Sequence, residues 1–238
     1  MNGFGTRHSF EPGWSRFLWS ERVRRRGLSL DGHDGRVIGA PWNYLLELEP
    51  EQPLSKREGV IWYPFHGWEQ QRVIGDHKGL IEEIRDVETG PVTVCLYWLE
   101  YKDSGMRELY ESAGFRVISH GFRGNNYRYT DTNFLKRQLA ELRTHRRVAS
   151  NRLSTAILYG ISVGCEPAVY GDPMVLDDAH PVFGGVGRLR RQWPELHGER
   201  VDPGRAREIA REELGTDYRA EPAELRELFR WPAAEEGR

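Results

Sequence analysis

Short runs of β-branched and aromatic residues alternate along this chain with longer segments of helical periodicity, and this alternation constrains the fold more than any other feature. Residues 92–98 (VTVCLYW) form a near-continuous apolar run, which is typical of a strand that helices cover on both faces. The pattern predicts an α/β fold: a three-layer, Rossmann-like domain with a mainly parallel sheet. The predicted strands are 59–65, 92–98, 115–119, 147–149 and 167–170, with helices at 76–87, 104–113, 131–143 and 154–163 between them.

Both ends of the chain are predicted to contain further helices. Apolar residues among arginines over 14–26 indicate an amphipathic helix, and 203–214 and 222–229 are charged segments with proline at or just before the first turn. We therefore expect an N-terminal amphipathic helix and arm over 1–35. The Rossmann-like domain with its C-terminal helices would then occupy 36–238.

Composition argues against several classes of protein. Lys and Arg number 34 against 36 Asp and Glu, and the formal net charge of −2 disfavours a nucleic-acid partner. No run approaches the roughly 18 apolar residues of a membrane-spanning helix, and the first residues lack the apolar core of a secretory signal, so we expect a cytoplasmic protein. Cys95 and Cys165 are too few for a disulfide framework or a cysteine-rich zinc site; we expect both to be buried, and no metal.

The most informative polar segment follows the fourth predicted strand. In an open parallel sheet, ligands bind at the carboxyl ends of the strands. Residues 150–155 (SNRLST) lead from that strand into an apolar helix, where hydroxyl and backbone N–H groups can donate to a phosphate and an inward-facing arginine can add a bidentate contact. Alternatively, one of these side chains only caps the helix. The candidate nucleotide-binding residues are Ser150, Asn151, Arg152, Ser154 and Thr155.

Two other predicted strand ends carry polar residues. His66 follows the first strand, with Glu69 close by, and an imidazole there can act as a general base or as a donor to phosphate, or can be a structural loop histidine. Arg123 follows the third strand and can neutralise a diphosphate or a sugar carboxylate, or lie on the surface. We take His66 and Glu69 as candidate catalytic residues, and His120, Gly121 and Arg123 as candidate substrate-binding residues.

Several familiar motifs are absent from the sequence. There is no Gly-x-Gly-x-x-Gly and no Gly-x-x-x-x-Gly-Lys-Ser/Thr, which disfavours dinucleotide-binding proteins, phosphate-loop NTPases and small Rossmann-type methyltransferases. There is also no Gly-x-Ser-x-Gly, which disfavours serine hydrolases of the α/β type.

Three segments, 37–42 (VIGAPW), 63–67 (YPFHG) and 150–160 (SNRLSTAILYG), together resemble bacterial glycosyltransferases of the GT-B type, in particular surface-carbohydrate and sialyltransferase-like enzymes. The resemblance covers residues 36–231 and implies one half of a GT-B enzyme, working without a metal. It implies that His66 and the serines and threonine of 150–155 hold the nucleotide phosphate. Two departures stand out: strands are visible for only one of the two GT-B domains, and Gly67 rather than proline follows His66.

The sequence therefore leads to two hypotheses. In the first, the chain is a glycosyltransferase that needs no cofactor, binds a nucleotide-sugar as donor substrate and transfers the sugar to a small-molecule or glycan acceptor. In the second, it is a non-catalytic nucleotide- or carbohydrate-binding subunit of a biosynthetic complex. Because an acceptor domain is missing, a second protomer or a partner subunit would complete the acceptor site.

Overall fold

The computed structural model describes residues 15–32, 34–50, 56–123, 129–177 and 185–232. The chain divides into two compact units, one formed by 51–210 and the other by 1–50 together with 211–238. The predicted division into 1–35 and 36–238 stays a prediction.

The helices and strands are numbered here in chain order. The strands are β1 (Phe17–Leu18), β2 (Arg36–Val37), β3 (Val60–Trp62), β4 (Val73–Ile74), β5 (Val92–Cys95), β6 (Arg116–Ile118), β7 (Arg147–Ser150), β8 (Glu166–Val169) and β9 (Val175–Leu176). The helices are α1 (Glu21–Asp31), α2 (Pro41–Leu48), α3 (His77–Val87), α4 (Trp98–Lys102), α5 (Ser104–Glu111), α6 (Phe134–Thr144), α7 (Thr155–Ser162), α8 (Gly185–Gln192), α9 (Pro203–Leu214) and α10 (Pro222–Phe229).

The unit formed by 51–210 is built on a five-stranded parallel sheet with the spatial order β6-β5-β3-β7-β8. The chain adds β5 and β6 on one side of β3, then crosses back and adds β7 and β8 on the other side. This is the strand order of a Rossmann-like half. The predicted α/β fold with a mainly parallel sheet is confirmed, and each of the five predicted strands is present.

Helices cover both faces of this sheet. On one face, Trp62 and Val94 pack with side chains of α3 and α5 in one buried apolar cluster that includes Ala149 of β7. Its neighbour Val148 points to the opposite face, because side chains alternate along a strand. There α7 lies directly on β7: a Cβ added to Gly160 would meet Val148 Cγ1 at 2.4 Å. The close contact requires a residue without a side chain at position 160.

The start of α3 shows why this segment is helical. Asp76 is the N-cap: its side chain accepts the backbone N–H groups of Lys78 and Gly79, each at 3.0 Å. The apolar residues then recur on one face of the helix and enter the buried cluster. They are Leu80, Ile81 and Ile84.

The unit formed by 1–50 and 211–238 contains a small parallel sheet of β1 and β2. The helix predicted over 14–26 is wrong in its bounds. It begins only after Ser20, whose hydroxyl accepts the backbone N–H of Val23 at 3.3 Å, and the residues before Ser20 pair with β2 instead. Pro41 occupies the first position of α2, where its missing N–H leaves no bond unmade.

Two other predicted boundaries are also wrong. The strand predicted over 92–98 ends at Cys95, and Trp98 begins α4. The helix predicted over 131–143 begins only at Phe134: Asn133 occupies the N-cap position, and Asp131 Oδ1 accepts its backbone N–H at 3.0 Å. Both cysteines are buried, as predicted. Within the described ranges, no helix combines the length and the apolar character needed to cross a membrane.

Candidate functional site

The carboxyl ends of β3 and β7 lie side by side at the centre of the sheet. After β3 the chain continues to one side of the sheet, and after β7 it continues to the other. Open α/β sheets bind ligands at such a switch point, beyond the carboxyl ends of the strands. The segments that leave the two strands here are 63–67 and 151–155, which the sequence also singles out.

Ser150 and Asn151 join these two segments. Ser150 Oγ lies 2.6 Å from the carbonyl oxygen of Tyr63, and Asn151 Oδ1 accepts the backbone N–H of Phe65 at 2.7 Å. Asn151 Nδ2 donates to the carbonyl of Asp172 at 2.6 Å. Both side chains are buried, and their polar groups bond to the protein's own backbone. Their place in the site is therefore to hold Phe65 and its neighbours in position.

Arg152 presents a cation at the same edge. Its guanidinium lies 4.0 Å from the centre of the Phe65 ring, and burial lowers the pKa of this arginine. In the part of the chain that the structure describes, no carboxylate forms an ion pair with Arg152. A guanidinium that is stacked on an aromatic ring and lacks a carboxylate partner retains donors for a carboxylate or phosphate ligand.

The amino end of α7 follows directly. Ser154 occupies the N-cap position, but its hydroxyl is buried and has no hydrogen-bond partner among the described residues. Thr155 begins the helix and is half-buried. The first backbone N–H groups of a helix and its dipole favour an anion at this end. Arg152 and this helix start thus form the cationic part of the edge.

A small cavity lies beside Arg152, at the ends of β7 and β8. It is lined by Arg152, Tyr170, Leu189 and His197, among others, and its volume is about 10 Å³. That is room for a single water molecule. A ligand as large as a nucleotide would have to lie across the open edge of the sheet.

His66 lies at the end of β3, with its ring stacked on Tyr97 at 4.6 Å between centroids. Its Nδ1 is 2.6 Å from the carbonyl oxygen of Gly67. Because a carbonyl only accepts, Nδ1 carries the proton and Nε2 has a free lone pair in the neutral ring. Burial, and then the positive charge of Arg123, lower the pKa of His66 to about 4, so the ring is neutral at neutral pH. Of the two roles predicted for His66, this geometry favours the proton acceptor over the phosphate donor.

Glu69 and Arg123 both contact Tyr97, the tyrosine on which His66 stacks. The Tyr97 hydroxyl donates to Glu69 Oε1 at 3.1 Å, and the Arg123 guanidinium lies 5.2 Å from the centre of the Tyr97 ring. The backbone N–H of Glu69, followed by Tyr97 and Trp98, lowers the pKa of the Glu69 carboxyl, which is ionised at neutral pH. The structure thus brings Arg123, predicted after the third strand, to His66 and Glu69, predicted together after the first.

Glu100 completes this group from α4. Its Oε1 accepts the backbone N–H of Gly67 at 2.8 Å, while its Oε2 is buried and finds no partner in the described ranges. Burial raises the pKa of this carboxyl. We call His66, Glu69, Tyr97, Glu100 and Arg123 the histidine cluster.

The sequence did not single out Tyr97 or Glu100, because the strand predicted over 92–98 was taken as buried core. The available signal was position: Glu100 is the first charged residue after the apolar run, at the carboxyl end of a central strand. A polar residue at the carboxyl end of a central strand is as strong a candidate for the site as His66.

His120 and Gly121 lie close to the histidine cluster without being part of it. His120 is buried, and its Nε2 is 3.0 Å from the Tyr63 hydroxyl. Gly121 has a φ of +94°, and a Cβ there would meet the Asp131 carboxylate at 2.8 Å. These two residues direct the chain after β6, and Arg123 reaches the cluster as a result.

The cationic part and the histidine cluster adjoin at Phe65 and His66. In the part of the chain that the structure describes, no three His, Cys, Asp or Glu side chains are grouped so that they could hold a metal ion. The edge therefore offers an arginine, a helix start, a neutral imidazole and two carboxyl groups whose pKa values differ. No protein-family model matches this chain, and no curated protein sequence matches it either.

Proposed function

We propose that this chain binds a nucleotide-activated sugar across the carboxyl edge of its parallel sheet and transfers the sugar to an acceptor hydroxyl, as one half of a GT-B glycosyltransferase would. The observation that carries the proposal is Arg152, a half-buried cation that is stacked on Phe65 and has no carboxylate partner among the described residues. It stands at the switch point of the sheet, next to the start of α7.

The nucleotide phosphate would bind to Arg152 and to the amino end of α7. Arg152 offers a bidentate pair of donors, and Thr155 and the first backbone N–H groups of the helix offer further ones. The Ser154 hydroxyl is shielded from solvent, so it would bind the phosphate only after the atoms that shield it move slightly. Ser150 and Asn151 support the site from beneath through their backbone bonds.

Transfer requires stabilisation of the leaving phosphate and removal of a proton from the acceptor. Fixed positive charge beside the phosphate favours the state in which negative charge builds up on its oxygen. The His66 ring, neutral at neutral pH, can take the proton of the acceptor hydroxyl. The chain's own residues supply both functions without a metal ion.

A second candidate function is that of a non-catalytic nucleotide- or carbohydrate-binding subunit. One observation favours it: the described residues contain one parallel sheet of Rossmann-like order rather than the two of a GT-B enzyme. Under this function, a partner subunit or a second protomer would supply the acceptor side.

The test is a calorimetric titration of the folded protein with UDP-glucose, GDP-mannose and CMP-N-acetylneuraminate. We expect one of them to bind, and Arg152→Ala to weaken that binding roughly 10- to 100-fold, since hydrogen bonds to charged groups contribute about 1.5–3 kcal/mol. Arg146→Ala is the matched control, because Arg146 precedes β7 at the opposite end of the strand and pairs with Glu166.

The outcomes separate the two functions. Failure of all three sugar nucleotides to bind would overturn the proposal. If one binds and His66→Ala leaves its hydrolysis or transfer unchanged, the binding-subunit function is the correct one.

A further inference from the structure

The two peptide groups that flank the Gly67 Cα are held by different residues of the histidine cluster. Glu100 Oε1 accepts the Gly67 N–H at 2.8 Å, and the Gly67 carbonyl accepts the proton of His66 Nδ1 at 2.6 Å. We propose that Glu100 is a positioning residue: through Gly67 it holds His66 in the tautomer whose Nε2 is an unprotonated acceptor.

The close packing around Gly67 restrains the backbone that connects Glu100 to His66. A Cβ at Gly67 would meet the carbonyl oxygen of Gln71 at 2.5 Å, so the backbone here packs too closely for a side chain. Trp68 and Gln71 close the turn with two mutual backbone hydrogen bonds, Trp68 N–H to Gln71 O at 2.9 Å and Gln71 N–H to Trp68 O at 3.1 Å. The Gly67 carbonyl is therefore held in one orientation towards His66 Nδ1.

The remaining neighbours of His66 fix the plane of its ring and not its tautomer. Tyr97 stacks on the ring face, and Arg123 adds a positive charge that disfavours a second proton. Glu69 bonds to Tyr97 and not to the imidazole. The Gly67 carbonyl is therefore the group that decides which nitrogen carries the proton.

The consequence for chemistry rests on the proposed function. As the acceptor oxygen bonds to the anomeric carbon of the sugar, the bond from that carbon to the phosphate oxygen breaks and its electron pair leaves with the nucleotide. The proton of the acceptor hydroxyl passes to His66 Nε2. Glu100 touches none of the reacting atoms and acts only through Gly67.

The test uses nuclear magnetic resonance of the ligand-free protein, so its failure is distinguishable from failure of the proposed function. Long-range ¹⁵N–¹H spectra report which His66 nitrogen carries the proton, and a titration gives its pKa; His66→Gln assigns the signals. We expect the wild-type ring to carry its proton on Nδ1 and to titrate near pH 4.

Four variants complete the experiment. Glu100→Ala should shift the proton towards Nε2 and lower the pKa of His66 further, because the hydrogen bond to the Gly67 carbonyl favours the charged ring. Glu100→Gln keeps an oxygen that can accept the Gly67 N–H and should behave as wild type. Glu108→Ala, on the exposed side of α5, is the control and should change neither. Should Glu100→Ala fail to fold, Glu100→Asp withdraws the carboxylate by one methylene and is expected to shift the tautomer in the same direction.

Three results would overturn the proposal. The first is a wild-type His66 protonated on Nε2. The second is an unchanged tautomer and pKa in Glu100→Ala, or in Glu100→Asp if that variant takes its place. The third is a Glu100→Gln variant that departs from wild type as far as Glu100→Ala does, since the charge of Glu100 would then matter and not its hydrogen bond.

Discussion

The Asn151 side chain binds the backbone of Phe65 across the switch point, with 2.7 Å between Asn151 Oδ1 and the Phe65 nitrogen. Phe65 in turn carries the guanidinium of Arg152 on its ring and precedes His66. One buried amide therefore supports both parts of the candidate site. Its loss should affect stability and site geometry together.

Replacing Asn151 by Ala should lower the free energy of unfolding by about 2–4 kcal/mol, because the Phe65 N–H and the Asp172 carbonyl both lose a buried partner. Urea unfolding measures the change. Asn133→Ala is the control: Asn133 is exposed, its side chain makes no capping bond in the described structure, and the expected change is within about 0.5 kcal/mol. Equal effects of the two substitutions would contradict the role assigned to Asn151.

At the amino end of β7, a largely buried ion pair should contribute more to the free energy of unfolding than the exposed pair beside it. Arg147 Nε lies 3.1 Å from Glu88 Oε1, which also accepts the Tyr170 hydroxyl at 2.8 Å. Removing the carboxylate by Glu88→Ala leaves a shielded arginine uncompensated and should cost about 3–5 kcal/mol.

The exposed pair of Arg146 and Glu166, at 2.9 Å, supplies the control for this prediction. Glu166→Ala should cost less than about 1 kcal/mol, because water screens exposed pairs. Urea midpoints of the two variants give the comparison. The prediction is wrong if Glu88→Ala is no more destabilising than Glu166→Ala.

Gly160→Ala should destabilise the protein although Ala is the better helix former. The added Cβ would meet Val148 Cγ1 at 2.4 Å, and overpacking of this kind costs about 1–3 kcal/mol, more than the gain of about 1 kcal/mol in helix propensity. At Gly187 of α8 the same change meets only the far end of the Arg191 side chain, at 3.3 Å, and should be neutral or stabilising. Thermal melts of both variants test this, and a melting temperature raised by Gly160→Ala would refute it.

Stability should fall on mild acidification, with one contribution from His66 and another from His120. Burial, and then Arg137, lower the pKa of this histidine from 6.5 to about 4 in the folded protein. Between these values the unfolded chain binds a proton that the folded chain does not, so stability is lost as the pH falls from about 6.5 to about 4 and is retained above 6.5. His120→Gln should flatten this part of the curve of urea midpoint against pH. A slope identical to that of wild type would show that another group is responsible.

The sheet could be predicted from the sequence because each of its strands lies within a short segment rich in apolar residues. Burial of such a segment is a local property, and residues 60–62 and 92–95 show it plainly. The meeting of His66 with Arg123 also follows from local information, since the carboxyl ends of parallel strands lie at one edge. The bounds of α1 could not be predicted in this way, because apolar residues continue across its start and only the Ser20 cap marks it.

The roles of Ser150 and Asn151 could not be predicted for a different reason. Their partners Tyr63 and Phe65 lie 87 and 86 residues away in the chain, and no local sequence pattern predicts hydrogen bonds over such a separation. A serine and an asparagine at a strand end have the same appearance in sequence whether they bind phosphate or backbone. Glu100 was missed similarly, because its link to Gly67 crosses 33 residues.

The strand order also has a consequence for synthesis of the protein on the ribosome. Strand β3 is made first but lies in the middle of the sheet, and its partner β7 is made only after β5 and β6. Until residues 147–150 emerge, one side of β3 is an open edge that another nascent chain can pair with. The five-stranded sheet can therefore be completed only after β7 and β8 have both emerged.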